Sequence, residues 1–313
     1  MQQTSRIYIA GHSGLVGSAI VRKLRSEGFQ NLIVRSHGEC DLENQGAVFK
    51  LFLEEKPEYV FMAAAKVGGI LANSSLPVDF IRSNLMVQNN IIDASHFSGV
   101  QKLLFLGSSC IYPKHSPQPI REEYLLSGDL EPTNVWYAIA KIAGIKMCQA
   151  YRAQHGLNAI SLMPTNLYGP GDNFDLNASH VLPALLRKFH EAKQSGAEEV
   201  VIWGSGTPRR EFLHVDDLAS ACLHLMQHYD SAEIINVGTG EDVTIHELAE
   251  LVKRTLGFEG RIGYDTTKPD GTPRKLLDVG RLHAQGWHHT IGLTEGIRTT
   301  YQWFLDNQAA LRV

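Results

Sequence analysis

The sequence has few cysteines and no apolar run long enough to cross a membrane. Its four cysteines, Cys40, Cys110, Cys148 and Cys222, are far apart and form no C-x-x-C pair, which argues against a disulfide framework and against a zinc site. No stretch approaches the roughly 18 to 20 apolar residues that span a bilayer, and no signal peptide is visible. These absences predict a protein of a reducing compartment, the cytoplasm, that needs neither a metal nor a membrane.

The chain also has no large excess of charge of either sign. Its 29 basic and 33 acidic side chains leave a net charge of −4, and the lysines and arginines are dispersed. A protein that binds a polyanion usually carries a basic stripe, so we expect no nucleic-acid partner. The 313 residues, 43% of them hydrophobic, predict a folded chain of about two domains.

Short apolar runs alternate with helix-length segments through the first half of the chain. We predict strands at 6–10, 32–35, 59–65, 102–112 and 159–163, and helices at 15–28, 47–56, 85–96 and 135–155. Strands that alternate with helices form a parallel sheet covered on both faces. The fold class predicted is therefore α/β, with a Rossmann-type doubly wound sheet.

The pattern loosens after about residue 165. Further helices are predicted at 182–194, 217–229 and 244–256, with strands at 200–203 and 234–237, and Asp216 and Asp217 are expected to cap a helix. We expect residues 1–165 to form a dinucleotide-binding domain, with segments near 210–240 returning to it. Residues 166–313 are expected to form mainly a smaller α/β substrate-binding domain.

A glycine-rich turn follows the first predicted strand and opens the first predicted helix. Its form is G-x-x-G-x-x-G, and it comprises Gly11, His12, Ser13, Gly14, Leu15, Val16 and Gly17. Glycines permit a tight turn and a close backbone approach, while the helix N-terminus offers free N–H groups to a pyrophosphate. A glycine turn alone is common, but the strand–turn–helix context predicts dinucleotide binding.

The residues after the second strand favour NADP over NAD. An acid there would bind the ribose hydroxyls of NAD, whereas this chain has Arg35 and His37, with no acid before Glu39. A guanidinium suits the 2′-phosphate of NADP, although a solvated arginine at a strand end is the alternative. Asp41 and Leu42 are candidates for contact with the adenine.

A tyrosine and a lysine are spaced one helical turn apart in the segment 137–141. Tyr137 and Lys141 are neighbours on one helix face, and a nearby cation stabilises a phenolate and lowers its pKa. Y-x-x-x-K alone is usually structural. With the glycine turn, and with Ser108 at the end of an upstream strand, the set resembles the short-chain dehydrogenase/reductase family, in its extended branch that modifies sugar nucleotides.

Several segments make the resemblance narrower. GHSGLVGSAI, AAAKVGGI, LFLGSSCIYPK, EPTNVWYAIAKIAGIK, MPTNLYGPGDNF, WGSGTPRREFLHVDD and KPDGTPRKLLD occur in register over some 270 residues and are similar to the GDP-L-fucose synthase family. That family converts GDP-4-keto-6-deoxy-D-mannose to GDP-L-fucose, by epimerisation at sugar carbons 3 and 5 and NADPH reduction at carbon 4. The resemblance implies NADP as cofactor, a nucleotide-sugar substrate and a homodimer.

The resemblance also implies the residues that bind the cofactor. Beyond the glycine turn and the residues after the second strand, these are Leu106, Gly107, Ser108, Lys141, Pro164, Thr165, Asn166, Leu167 and His180. At the position of Ser13, members of the family can carry an arginine that binds the 2′-phosphate. A serine at this position cannot form an ion pair, so Arg35 and His37 would bind the 2′-phosphate alone. This predicts weaker selectivity for NADP over NAD.

Epimerisation beside a ketone needs a base on one face of the sugar and an acid on the other. Ser108 and Cys110 are two residues apart in a predicted strand, so their side chains should point to the same side. A thiolate is a suitable base if its pKa is lowered. The resemblance implies that Cys110 is the base and His180 the opposing acid, and that Tyr137 supplies the proton for reduction while Lys141 binds the nicotinamide ribose. Without it, Cys110 would be read as a small buried hydrophobe.

Four residues match positions that contact substrate in the family: Lys188, Trp203, Arg210 and Asp270. An arginine can bind phosphate oxygens through two parallel hydrogen bonds, and a tryptophan offers area for a base, although a tryptophan that ends a strand is as often core.

Two other functions remain open from the sequence. One is a different sugar-nucleotide enzyme of the same fold, such as a 4,6-dehydratase or a 4-epimerase. A dehydratase would follow its active-site hydroxyl with Asp-Glu, where this chain has Ser109 and Cys110, and a 4-epimerase that recycles NAD would need the missing acid. The other is a non-catalytic module that binds NADP(H), which retention of the whole residue set disfavours.

Overall fold

A computed structural model describes residues 1–176, 178–268 and 270–310. In its first half the strands are β1 (Ile7–Ala10), β2 (Leu32–Ile33), β3 (Tyr59–Met62), β4 (Lys102–Leu106) and β5 (Ala159–Pro164). The helices are α1 (Leu15–Ser26), α2 (Gln45–Glu55), α3 (Ile70–Ser75), α4 (Pro77–Phe97) and α5 (Val135–His155).

The strands of this half form a six-stranded parallel sheet with the order β10-β5-β4-β3-β1-β2, where β10 is Ile235–Val237. Ile7 of β1 pairs with Leu32 on one side and with Tyr59 on the other. The strands are buried because they are almost continuously apolar, and helices cover both faces. The predicted doubly wound sheet is confirmed, and the strand order reverses beside β1, where such folds bind ligands.

The second half contains β6 (Asn166–Tyr168), α6 (Val181–Ser195), β7 (Glu199–Trp203), β8 (Arg209–Arg210), β9 (Phe212–His214), α7 (Val215–His228), β11 (Val243–Thr244), α8 (Ile245–Leu256), β12 (Arg261–Asp265), β13 (Arg274–Lys275), α9 (Gly280–Ala284) and α10 (Leu293–Asp306). Its small sheets are β6-β9, β7-β12 and β11-β8-β13.

Two hydrophobic cores are present in the described part of the chain. The larger core packs around the six-stranded sheet and includes α7 and β10. The smaller core joins α6, α8 and α10, with Phe189, Leu248 and Phe304 among its buried residues. The chain therefore passes from the large core to the small one and returns to the large core near 213–237. It contributes to the small core again at 248–258, to the large core at 277–287, and to the small core at 297 and 304.

The predicted strand 102–112 is wrong in its second half. Strand β4 ends at Leu106, and Ser109–Ile111 form a turn of 3₁₀ helix. The Ser108 hydroxyl accepts a hydrogen bond from the Cys110 backbone N–H at 3.2 Å. Serine side chains compete with the sheet for backbone groups in this way, so an apolar composition alone overestimated the strand.

Two helix predictions also need correction. Helix α4 begins at Pro77 rather than at residue 85, because a proline is well suited to the first turn of a helix. Helix α7 begins at Val215, and its N-cap is His214, whose Nδ1 accepts from the Asp216 backbone N–H at 3.2 Å. Asp216 instead forms an ion pair with Arg22 at 2.6 Å. None of the helices in the described ranges is both long and apolar enough to cross a membrane.

Candidate active site

The glycine turn is packed too tightly for larger residues at two of its three glycines. Gly11 has φ +81°, and a Cβ on it would lie 2.7 Å from Ala64 Cα. A Cβ on Gly17 would lie 2.1 Å from the carbonyl oxygen of Gly11, whereas one on Gly14 would meet nothing nearer than 3.5 Å. The turn thus brings the start of α1 against the end of β1 and leaves Gly14 open on the ligand side.

The start of α1 has unused hydrogen-bond donors. Gly14 is the N-cap and offers no side-chain cap, so the first N–H groups of the helix have no intrahelical partner. His12 Nδ1 is buried and has no hydrogen-bond partner within the described chain. An anionic pyrophosphate would satisfy such donors, and the residues therefore fit the phosphates of a dinucleotide.

The residues expected at the adenosine end lie together after β2. Arg35 donates to the carboxylate of Glu55 and, at 2.8 Å, to the carbonyl oxygen of Val34. His37 is largely exposed, with Nδ1 3.8 Å from Asp41 Oδ1. The carbonyl oxygen of Leu42, next along the chain, accepts from the Asn90 side chain at 2.9 Å. Arg35 is thus already paired, and a 2′-phosphate would share it with Glu55.

Tyr137 and Lys141 lie one turn apart on α5, as the spacing predicts, and α5 brings them to the carboxyl end of β4. The Lys141 ammonium is buried and donates to the carbonyl oxygen of Leu106 at 2.8 Å, with Nζ 5.8 Å from the centre of the Tyr137 ring. Burial lowers the pKa of Lys141 to about 8. Lys141 therefore remains largely protonated at neutral pH.

The pKa of Tyr137 differs from the sequence-based expectation. Burial and the neighbouring Cys110 raise it above the ordinary value of 10.0, and a hydrogen bond with Ser108 offsets only part of that rise. The expected lowering by Lys141 is absent in the protein alone, because the lysine donates to Leu106 instead. Tyr137 is therefore a protonated phenol at neutral pH, which suits a proton donor.

Cys110 lies beside Ser108 and Tyr137 and is half-buried. Burial would raise the pKa of its thiol, but the charge of Lys275, hydrogen bonds with Ser108 and Lys275, and the charge of Arg210 together lower it. The Nζ of Lys275 lies 3.4 Å from Sγ. The 3₁₀ turn, rather than the predicted strand alternation, brings Ser108 and Cys110 together.

His180 is the N-cap of α6, but its side chain forms no cap hydrogen bond. The residue is exposed at the surface, and the protein atoms around its ring and then the charge of Lys275 lower its pKa. The preceding segment is held by Gly69, whose N–H donates to the carbonyl oxygen of Ala178 at 3.0 Å. A Cβ on Gly69 would lie 2.8 Å from the carbonyl oxygen of Ser179.

The segment 164–167 follows β5 at the same sheet edge. Thr165 N–H donates to the carbonyl oxygen of Val237 at 3.0 Å, and the Asn166 amide donates to that of Glu211 at 2.8 Å. Pro164 ends β5 and Leu167 lies within β6. This segment therefore connects the large core, which contains Met163, to the small core, which contains Tyr168.

The four residues expected to bind substrate lie close together in the structure. The Lys188 ammonium lies 5.6 Å from the centre of the exposed Trp203 ring. Arg210 donates to the carbonyl oxygen of Asp270 at 3.4 Å, and the Asp270 carboxylate accepts from Ser205 N–H at 2.7 Å. Because Ser205 follows Trp203 by two residues, these contacts connect all four.

Several residues of this cleft were not singled out by sequence reasoning. The Lys275 ammonium contacts the Cys110 sulfur. The ammonium of Lys268, seven residues earlier in the chain, lies 5.4 Å from the centre of the Trp203 ring. The buried Glu211 carboxylate accepts from the N–H groups of Thr239, Gly240 and Leu277. The only signal for the two lysines was the segment KPDGTPRKLLD, which carried the resemblance without a role for them.

A glycine turn at the switch point of a doubly wound sheet, with a Tyr–Lys pair at the carboxyl edge, is the arrangement of a dinucleotide-dependent oxidoreductase, and this chain is of that class. The chain belongs to the NAD dependent epimerase/dehydratase family, whose model matches residues 7–238. The resemblance found in the sequence is thereby supported at the level of the family.

Three known proteins make the comparison sharper. The chain is 62% identical over 305 residues to GDP-L-fucose synthase 1 of Arabidopsis thaliana, which covers 97% of this chain and 94% of that protein. It is 55% identical over 316 residues to GDP-L-fucose synthase of Escherichia coli strain K12, which covers 98% of each. The crystal structure of a GDP-L-fucose synthetase from Naegleria fowleri bound to NADP matches with a TM-score of 0.92 and 31% identity, over 100% of this chain and 98% of that one.

Proposed function

We propose that this chain converts GDP-4-keto-6-deoxy-D-mannose to GDP-L-fucose, as a bifunctional 3,5-epimerase and NADPH-dependent 4-reductase. The similarity to GDP-L-fucose synthases extends over nearly the whole chain. The observation that carries the proposal is that Cys110, with a lowered pKa, lies beside the Ser108–Tyr137 pair of a reductase. A simple reductase has no need of a second acid–base group there.

The cofactor is NADP(H). The tight Gly11 and Gly17, the uncapped start of α1 and the unpartnered His12 Nδ1 would hold its pyrophosphate, and Arg35 with His37 its 2′-phosphate. Leu106, Gly107, Lys141 and the segment 164–167 would line the nicotinamide end. When bound, the reduced cofactor supplies the hydride that carbon 4 of the sugar receives.

Epimerisation is proposed to use side chains of the protein as its acid, its base and its hydrogen-bond donors. The Cys110 thiolate removes the proton at carbon 3 or carbon 5, because the adjacent ketone makes these protons acidic. Ser108 and Tyr137 donate hydrogen bonds to the carbon-4 oxygen, where negative charge develops in the enolate. His180, on the other face, returns a proton to the carbon and inverts its configuration.

Reduction uses the same tyrosine in a second role. The Tyr137 phenol is protonated in the free protein because burial raises its pKa. It can therefore give its proton to the carbon-4 oxygen as the hydride arrives. Lys141, one turn along α5 from Tyr137, would bind the nicotinamide ribose.

The remaining parts of the proposal concern substrate, compartment and assembly. Lys188, Trp203, Arg210 and Asp270 are proposed to bind the GDP group, with Arg210 on the pyrophosphate. Residues 1–165 with the segment near 210–240 are proposed as the cofactor domain, and most of 166–313 as the substrate domain. The free thiol of Cys110 suits the cytoplasm. The family resemblance supports a homodimer, which sedimentation would detect as twice the 34.7 kDa chain mass.

Two substitutions separate the two half-reactions. Tyr137→Phe should slow NADPH oxidation by roughly 10²- to 10⁴-fold, while solvent deuterium still enters carbons 3 and 5, more slowly than in wild type because only Ser108 then donates to the enolate oxygen. Cys110→Ala should slow that deuterium exchange by a similar, roughly 10²- to 10⁴-fold, factor. Absorbance follows the cofactor, and NMR follows the deuterium. Undiminished exchange at both carbons in Cys110→Ala would show that another group is the base.

A further inference from the structure

Lys275 reaches the reactive thiol from a distant part of the chain. Its Nζ lies 3.4 Å from Cys110 Sγ, although 165 positions separate the two residues. Both residues line a small cavity, together with Lys114, Glu131 and Thr272. A cation in this position faces the only atom of Cys110 that can act as a base.

The backbone on both sides of Lys275 is fixed. Strand β13 runs parallel to β8, with Lys275 opposite Arg210. Arg274 donates to Asp242 at 2.5 Å, and the N–H groups of Leu276 and Leu277 donate to Gln118 and Glu211 at 2.9 and 3.0 Å. These anchors leave little freedom to the backbone, so the lysine side chain is directed into the cleft.

We propose that Lys275 is a positioning residue for the epimerase half-reaction, whose ammonium holds Cys110 as the thiolate that removes the sugar protons. The role rests on the proposed function, because it presupposes that Cys110 is the base. It deepens that function by naming the group that makes a cysteine basic enough at neutral pH. Lys275 acts through Cys110 and needs no contact with the reacting carbons.

Two other cysteines show the effect of burial on a thiol to which no lysine hydrogen bond is found in the described part of the chain. Burial raises the pKa of Cys148 to about 12, even though Lys141 lowers it in part. Cys222, also buried, is raised for the same reason. At Cys110 the contact with Lys275 reverses the direction of the shift.

The charged and hydrogen-bonding groups around Cys110 lie on strands β13 and β8, on helix α5 and in the loops that contain Ser108 and Glu131. Lys275 and Arg210, on the paired strands β13 and β8, favour the thiolate, as does the hydroxyl of Ser108. Tyr137 on α5 is neutral and does not oppose it. Glu131 lines the same cavity but is paired with Lys114 at 3.0 Å. Among these groups, Lys275 is the cation for which a direct contact with the sulfur is found.

The same charge acts on His180. The charge disfavours the imidazolium and so lowers the pKa of His180, in addition to the larger effect of the protein atoms around the ring. Removing the charge should therefore move both groups in one direction, raising the pKa of Cys110 and that of His180. A lysine that served only to fill space would leave both unchanged.

The first test measures the thiolate in the free protein, without substrate. The pH dependence of Cys110 alkylation by iodoacetamide is followed by peptide mass spectrometry, with Cys110→Ala as the blank. In Lys275→Met the midpoint should rise by about one pH unit, so that alkylation at pH 7 is roughly tenfold slower. Lys275→Arg should restore most of the rate. Lys253→Met, a matched loss of charge on α8, should leave the midpoint unchanged.

The second test measures deuterium exchange at carbons 3 and 5 of the keto sugar. Exchange by Lys275→Met should be roughly tenfold slower at pH 7 and should recover as the pH is raised, because the thiolate then forms without help. Circular dichroism and NADPH binding check that the variant is folded, and Lys275→Gln replaces it if it is not.

The two proposals fail in different ways. If wild type exchanges deuterium and the charge-removing variant keeps the wild-type alkylation midpoint and exchange rate, the role of Lys275 is wrong and the proposed function stands. If wild type exchanges no deuterium, the proposed function is wrong, and with it the role of Lys275 in epimerisation. A raised midpoint that arginine does not lower would also contradict the role, since it would point to shape rather than charge.

Discussion

Asp172 shows at the level of one residue how burial opposes ionisation near the cleft. Its Oδ1 accepts from the Asn173 N–H at 2.8 Å, and its buried Oδ2 has no hydrogen-bond partner among the residues described. Burial raises the pKa of Asp172 to about 7. The folded protein therefore binds this proton more tightly than the unfolded chain does, and the associated stability is lost as the pH rises from about 4 through about 7.

Replacing this carboxyl by an amide should remove the pH dependence. At pH 8 we expect Asp172→Asn to raise the free energy of unfolding by about 2 kcal/mol, less than the shift alone implies because the residue is only partly buried. At pH 4 the two proteins should be similar. Urea unfolding at both pH values measures the difference. If Asp172→Asn were less stable than wild type by the same amount at both pH values, Asp172 would be ionised and paired in the folded protein.

At the same scale, the sequence was informative about residue types but not about their charge states. Tyr137 and Lys141 could be placed because they lie one turn apart on the same helix. The protonated state of Tyr137 could not, because it depends on burial by the whole cleft. Lys275 was missed because its contact with Cys110 closes a loop of 165 positions.

At the scale of single elements, α5 depends on a glycine that lets it approach the sheet. A Cβ on Gly144 would lie 2.4 Å from Phe105 Cζ and 2.7 Å from Gln88 Oε1. The Phe105 ring in turn lies beside the Lys141 ammonium, with its centre 5.0 Å from Nζ. Close packing of α5 therefore also sets the position of Lys141, for which we propose binding to the nicotinamide ribose.

Adding one methyl group at this position should be costly. Gly144→Ala should lower the free energy of unfolding by roughly 1–3 kcal/mol, because the core has no room for it. The matched control is Gly46→Ala in α2, where the nearest atom to the new Cβ is 3.4 Å away; that change should be neutral or stabilise by about 1 kcal/mol. Chemical unfolding of both variants decides, and equal effects would mean that α5 can move away from the sheet.

Element positions followed from the sequence where periodicity was long and regular. The helix predicted at 135–155 is confirmed as α5 with the same bounds. The error at 102–112 arose because the Ser108 hydroxyl accepts a local hydrogen bond from the Cys110 N–H, which an apolar pattern does not reveal. Both outcomes depend on local interactions. The apolar periodicity of the helix is visible in the sequence, whereas the side-chain hydrogen bond that ends the strand is not.

At the scale of the whole molecule, the cleft depends on chain segments that cross between the two cores. Glu211 precedes β9 and ties residues 239–240 and 277 together through its buried carboxylate. Glu211 is the residue after Arg210, and Leu277, which it binds, is two residues after Lys275. The buried carboxylate therefore connects the sheet edge to both cations that face Cys110. The doubly wound sheet was predictable from alternation, whereas this crossing was not, because its contacts join segments far apart in sequence.

The most direct test of the central claim combines the purified protein, NADPH and GDP-4-keto-6-deoxy-D-mannose in heavy water. NADPH oxidation is followed by absorbance, and the product is identified by NMR. We expect oxidation with deuterium at carbons 3 and 5 and an L-configured sugar at carbon 4 reduced. Oxidation without deuterium at either carbon would contradict the claim, because it would make the chain a simple 4-reductase in which Cys110 and His180 have no catalytic part.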